Sequence, residues 1–122
     1  MPNKTIIAVV DDDASVREAL SGLMRSLGYG VIAFGSAEDF LKSADPPTAS
    51  CLITDVQMPG MSGPELYDRL VADGEQIPTV LITAYPDSSA RQRALQAGVM
   101  CYLSKPFRED ELLDCIHSVV GP

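Results

Sequence analysis

The chain has 122 residues, enough for one compact domain with a sizeable hydrophobic core and too few for two large ones. Seventeen acidic against nine basic residues leave a formal charge of −8, and no basic patch offsets it, which argues against nucleic-acid contact by this domain. No apolar run approaches the roughly 20 residues needed to cross a bilayer, and no secretory leader is visible, so the expectation is a cytoplasmic protein without membrane contact.

Thr5 to Val10, TIIAVV, is apolar on both alternations and predicts a strand covered on both faces, ending at Asp11. Val16, Leu20, Leu23, Met24 and Leu27 then recur at spacings of three and four, one stripe of a helix over 15–27, with Ser15 and Glu18 as its capping box and Gly28 as its stop. A short strand follows at 29–34. Ser36 with Asp39 opens a brief helix carrying Ala37, Phe40 and Leu41, ended by Pro46 and Pro47. CLITD at 51–55 is the third strand, and after the glycine-rich turn at 58–63 a helix buries Leu66, Leu70 and Val71, with Pro64 tolerated in its first turn.

Ile77 to Thr83 reads as the fourth strand, 88–97 as a helix stopped by Gly98, and Met100 to Leu103 as a fifth strand. Arg108 to Val120 closes the chain as a helix with Glu109, Asp110 and Glu111 in its favourable first turn. Cys51, Cys101 and Cys115 are odd in number, far apart and without a CxxC pair, which predicts three buried free thiols.

Five strands alternating strictly with five helices predict an α/β fold, a doubly wound five-stranded parallel sheet of order 2-1-3-4-5 forming one domain over 1–122. In such a sheet ligands bind beyond the carboxyl ends of the strands at the switch point, here between strands one and three. Those ends are Asp11 and Asp55, with Asp12 beside them. Three converging carboxylates repel one another unless a proton or a cation intervenes, and oxygen-only ligands favour a hard ion, magnesium or a substituting manganese. Thr83 and Lys105 close the fourth and fifth strands at the same end, and a hydroxyl and an ammonium beside carboxylates and a divalent ion suit phosphoryl transfer. Taken singly, each residue has a plainer reading: a solvated turn for Asp11 to Asp13, a cap for Asp55, strand propensity for Thr83 and a helix-flanking lysine for Lys105.

Taken together, VVDDD at 9–13, ITDVQMPGMSG at 53–63, LITA at 81–84 and YLSKPF at 102–107 resemble the receiver domains of bacterial two-component response regulators. FGSAEDFL at 34–41 is similar to the subclass of the nitrogen-fixation regulators. The resemblance implies that Asp55 accepts a phosphoryl group from the phosphohistidine of a sensor kinase or a histidine phosphotransfer protein. It implies that Asp11, Asp12, Asp55 and the Gln57 carbonyl hold magnesium, and that Thr83, Ala84 and Lys105 bind the phosphoryl group. Tyr102 matches the aromatic switch that turns inward with Thr83, and Pro106 the family's cis-proline. The switching surface, helix four, strand five and helix five, is also the implied homodimer face. The chemistry is then phosphotransfer with slow self-dephosphorylation, and not metabolic catalysis. The loop AYPD at 84–87 departs from the subclass: Pro86 stiffens it, and Tyr85 with the Gln57 amide flanks the expected approach of hydrolytic water.

Three rivals fit less well. A flavin or nucleotide module wants an anion nest after strand one, where three aspartates stand instead. An aspartyl phosphatase wants a cap domain. A phosphorylation-independent binding module leaves the set of Asp11, Asp12, Asp55, Thr83 and Lys105 without purpose. The expected output is transcriptional, through a domain outside these residues; the alternative is a stand-alone receiver that acts by protein binding or as a phosphate shuttle.

Overall fold

The apolar segment after Thr5 does become a strand buried on both faces, and the same logic organises the whole molecule. The structure is a computed structural model and describes residues 5–43 and 49–120. In chain order the elements are β1 (Ile6–Val10), α1 (Ala14–Ser26), β2 (Gly30–Phe34), α2 (Ala37–Lys42), β3 (Cys51–Asp55), α3 (Gly63–Ala72), β4 (Thr79–Thr83), α4 (Ser88–Ala97), β5 (Cys101–Ser104) and α5 (Glu109–Val120). All strand pairs are parallel, in the order β2-β1-β3-β4-β5. The fold is therefore the predicted doubly wound sheet.

Alternation along each strand sorts the core into two layers. Ile7, Val9, Cys51, Ile53, Val80 and Ile82 face α1 and α5, meeting Leu20, Met24, Leu112 and Ile116. Ala8, Val10 and Leu52 face α2 and α3, meeting Phe40, Leu66 and Leu70, while Leu81 meets Ala94 of α4. Each fully buried Leu, Ile or Phe contributes about 1.5–3 kcal/mol, so the central strands are the most firmly fixed part of the molecule. A site built at their ends inherits that rigidity.

Several local expectations are corrected. The N-cap of α1 is Asp13, whose carboxylate accepts from Ser15 N at 2.8 Å and Val16 N at 3.4 Å, and not a Ser15–Glu18 box. The reciprocal capping box belongs to α3, between Ser62 and Glu65. Val71 is 54% exposed because it follows Leu70 by one residue, about 100° around the helix from the buried stripe. Leu27 is the C-cap of α1 and sits at the surface. β4 starts at Thr79, since Pro78 has no N–H to give the ladder although its carbonyl accepts from Leu52 N. β5 runs one residue later than expected, Cys101–Ser104. The ending of the second helix by Pro46 and Pro47 lies outside the described residues.

The thiols are the clearest correction. Cys101 on β5 and Cys115 on the inner side of α5 form a disulfide, their Cα atoms 6.3 Å apart. The helix returns across its own strand and brings together two residues that the sequence separates by 14. Cys51 is the free, buried thiol of the expectation, its pKa pushed up to about 12 by burial.

Candidate functional site

Parallel strands all deliver their last residues to one edge, so the polar residues that end β1, β3, β4 and β5 meet there. Val10 pairs with Thr54 in the register, which sets Asp11 and Asp55 side by side one residue further on. Asp11 is 2% exposed and Asp55 8%, whereas Asp12 is exposed. One carboxylate oxygen from each of the three lies within 4.8 Å of the others. Three carboxylates at that spacing, with no histidine or cysteine among them, can hold a hard divalent cation.

Asp11 is held at every atom it can offer. Its N–H donates to Phe34 O at 3.2 Å, its Oδ1 accepts from Asp13 N at 2.9 Å, and its carbonyl accepts from Arg17 Nη1 at 2.6 Å. Lys105 Nζ donates to its Oδ2 at 3.2 Å and lies 3.4 Å from Asp55 Oδ1, so one ammonium bridges two strands' carboxylates. Arg17 escapes a sequence reading because it looks like an ordinary surface residue of an amphipathic helix.

Burial, and after it the charge of Asp11, lift the Asp55 carboxyl above its ordinary value, against the opposing pull of Lys105. For Lys105, burial alone would lower the pKa, but Asp11 and then Asp55 together hold it above the ordinary lysine value. The backbone is shaped to the same end. Gly63 at the start of α3 packs under the Asp55 carbonyl, where any Cβ would overlap that oxygen, and its N–H donates to Val56 O at 3.0 Å. Lys105 N donates to Thr83 O at 2.7 Å, and the Lys105–Pro106 peptide is cis, as the resemblance implies.

Thr83 is fully buried. Its hydroxyl donates to Gln57 Oε1 at 2.7 Å and accepts from Tyr85 N at 2.9 Å. Ala84 next to it is exposed. Tyr102 stands apart from the carboxylates. It pairs with Leu81 on the β4–β5 ladder, two positions before Thr83, and its half-buried ring lies against the cluster of Val56, Leu81, Ala94 and Val99. The ring also lines a shallow groove of about 250 Å³ with Pro86, Ser88 and Arg91.

The model of the response regulator receiver domain matches residues 7–117. The chain belongs to that family. This receiver is 44% identical over 113 residues to Nodulation protein W of Bradyrhizobium diazoefficiens, covering 93% of this chain and 50% of that protein. It is 42% identical over 116 residues to the response regulator TodT of Pseudomonas putida, covering 95% and 51%. The transcriptional regulatory protein FixJ of Bradyrhizobium diazoefficiens is 36% identical over 120 residues, covering 98% and 58%. Among solved structures, the response regulator StyR superposes with a TM-score of 0.89 at 46% identity, covering 97% of this receiver and 60% of that chain. FixJ-N gives 0.84 at 32%, covering 97% and 94%. The receiver spans about half the length of the curated relatives it matches. Among the described residues no helix is long and apolar enough to cross a membrane.

Proposed function

We propose that residues 1–122 form a phosphorylation-dependent switch whose acceptor is Asp55. A carboxylate oxygen of Asp55 attacks the phosphorus of a phosphohistidine on a sensor kinase or phosphotransfer protein. The oxygen–phosphorus bond forms as the nitrogen–phosphorus bond breaks, and the imidazole departs with the electron pair and takes a proton. Asp11, Asp12, Asp55 and the Gln57 carbonyl would hold magnesium, or manganese in its place. When bound, that ion neutralises charge on the phosphoryl oxygens. Lys105 supplies a second positive charge to the same oxygens, and Thr83 donates its hydroxyl to one of them across the opening left by Ala84. The observation that carries the reading is the position of Asp55, buried at a strand end, in ion-pair range of Lys105 and in ligand range of Asp11 and Asp12.

Withdrawal of Thr83 towards the phosphoryl group removes it from Gln57 and opens space beneath α4, into which Tyr102 turns. Two packings of similar energy are the requirement, so that phosphorylation biases an existing equilibrium. The altered face is α4, β5 and α5, where a second copy can dock to give a homodimer. An apolar groove of about 410 Å³ between α1 and the Lys105–Phe107 turn lies beside the acid cluster and offers the phosphodonor a surface. The setting is cytoplasmic, and the charge of −8 keeps this domain off nucleic acid. Transcriptional output would come from a further domain such as the longer relatives have room for.

Incubation with acetyl phosphate and Mg²⁺, followed by mass spectrometry, tests the assignment. Label is expected on Asp55, lost with a chelator, absent in Asp55→Asn, and needing more Mg²⁺ in Asp12→Asn. Label retained by Asp55→Asn would overturn it.

A further inference from the structure

The segment FGSAEDFL sits outside the acceptor, the metal ligands and the switch pair, yet it touches both acidic loops. At its start Phe34 O accepts from Asp11 N, and Gly35 packs beneath the Arg17 guanidinium that holds the Asp11 carbonyl; a Cβ at Gly35 would lie 3.3 Å from Arg17 Nη1. Ser36 then caps α2 through Asp39 N at 3.1 Å, which makes Glu38 the second residue of the helix. From there the Glu38 carboxylate crosses 23 residues of sequence to accept from Met61 N at 3.0 Å. It also fills the space over Gly60, whose φ of +77° and lack of Cβ let the turn pass against the carboxylate. Met61 lies in the loop that leaves β3 directly after Asp55 and contains Gln57.

We propose that Glu38 is a positioning residue for the acceptor site, fixing the loop that presents the Gln57 carbonyl to the metal. The inference rests on the receiver chemistry proposed above. Three features separate it from a chance surface bond. The helix bearing Glu38 is anchored by fully buried Ala37 and Phe40, the latter edge-on to Phe34 at 5.4 Å. The bond spans two elements, so it restrains the loop from outside. The other end of the loop is held independently where it leaves β3, by Val56 N to Ile82 O at 2.9 Å, and Gly63 N to Val56 O ties the two ends together. With both ends held, the path of residues 57–60 depends on the Met61 N–H remaining paired. The net worth of one hydrogen bond, felt at the ligand whose loop it orients, is an effect of about three- to tenfold on affinity.

Three variants of the full chain separate geometry from charge. Glu38→Gln keeps an acceptor at the same reach, Glu38→Asp keeps the charge but falls one methylene short, and Glu38→Ala removes both. Two readouts are taken: Mg²⁺ affinity by calorimetry, and hydrogen exchange of the Met61 amide by NMR without metal. Glu38→Gln is expected within about twofold of wild type in both. Glu38→Asp and Glu38→Ala are expected to bind Mg²⁺ about three- to tenfold more weakly and to exchange the Met61 amide about tenfold faster. If the alanine variant fails to fold, the Gln and Asp pair decides. Wild-type affinity in Glu38→Asp, or Glu38→Gln as weak as Glu38→Asp, overturns the proposal. Wild-type protein that neither binds Mg²⁺ nor takes label at Asp55 overturns the receiver chemistry instead. The two failures are distinct because the exchange measurement needs no metal.

Discussion

The Lys105 ammonium stands 3.4 Å from Asp55 Oδ1 while donating to Asp11 at 3.2 Å, so a residue of the last strand's end closes a pair made by the first and third. The side chain of Lys105 is 22% exposed, and those of Asp11 and Asp55 are 3% and 9%. At this depth the pair is neither a screened surface bridge nor a fully dry one. Lys105 supplies to Asp11 and Asp55 part of the positive charge that a divalent ion at the same carboxylates would supply.

Lys105→Ala therefore has opposite effects on stability and on metal binding. Without metal it leaves two buried carboxylates unpaired and is expected to cost about 1–2 kcal/mol by urea unfolding. The same change removes a competing positive charge, so Mg²⁺ is expected to bind several-fold more tightly in a calorimetric titration. Weaker Mg²⁺ binding in the variant would show that Lys105 orients the ligands and does not compete with the ion.

Asp55→Asn should separate function from stability in the same way. Removal of the proposed acceptor is expected to abolish labelling, but it also relieves burial of a charge next to Asp11. The metal-free variant is expected to melt about 2–5 °C higher than wild type at pH 7, a shift corresponding to about 0.5–1.3 kcal/mol for a domain of this size. Added Mg²⁺ then raises the melting temperature of wild type and leaves the variant nearly unchanged. A lower melting temperature for the variant would mean that Lys105 stabilises the ionised Asp55 by more than burial penalises it.

The direction of the Asp55 shift fixes two pH dependences. Its folded-state pKa is raised from the ordinary 3.8, so its contribution to stability is fully present below that value and is lost as pH rises through the raised one. The melting-temperature gap between Asp55→Asn and wild type should accordingly widen between pH 4 and pH 7. With Asp55 as the proposed acceptor, labelling by acetyl phosphate needs its carboxylate, so the rate is expected to fall on acidification at a pH above that expected for an exposed aspartate. Saturating Mg²⁺ favours the ionised form and moves that limb to lower pH. A limb at the position of an exposed aspartate, unmoved by Mg²⁺, would contradict the assigned environment.

How much of this is legible in the sequence depends on the range of the interaction concerned. TIIAVV and CLITD show their double-sided burial directly, and a strand's last residue is necessarily at the sheet's edge, so Asp11 and Asp55 could be paired once the order of strands was inferred. Lys105 follows by the same rule. Cys101–Cys115 could not be read, because its closure depends on how α5 lies across β5. Glu38–Met61 and Arg17–Asp11 were hidden for a similar reason: each is a side chain reaching a backbone group on another element or turn, and backbone groups carry no sequence signature. Asp13 as the cap of α1 was obscured by its place in an acidic run with a different apparent purpose.

The hydrogen bond from Thr83 to Gln57 leads to a last expectation. The Thr83 hydroxyl has one proton, and at 2.7 Å that proton is committed to Gln57 Oε1, so donation to a phosphoryl oxygen requires this bond to break. A net worth of about 0.5–1.5 kcal/mol makes the bond a two- to tenfold brake on the switch. If Thr83 moves as proposed, the freed Gln57 amide and the exposed Tyr85 ring are expected to flank the approach of hydrolytic water to Asp55. Gln57→Ala and Tyr85→Ala are each expected to speed loss of the Asp55 phosphoryl group about three- to tenfold, with a smaller change in labelling rate. The decay is followed by mass spectrometry after removal of acetyl phosphate. Equal decay in wild type and both variants would show that neither side chain controls access of water. Faster decay in the Gln57 variant alone would assign that control to the amide, leaving Tyr85 only its backbone bond to Thr83.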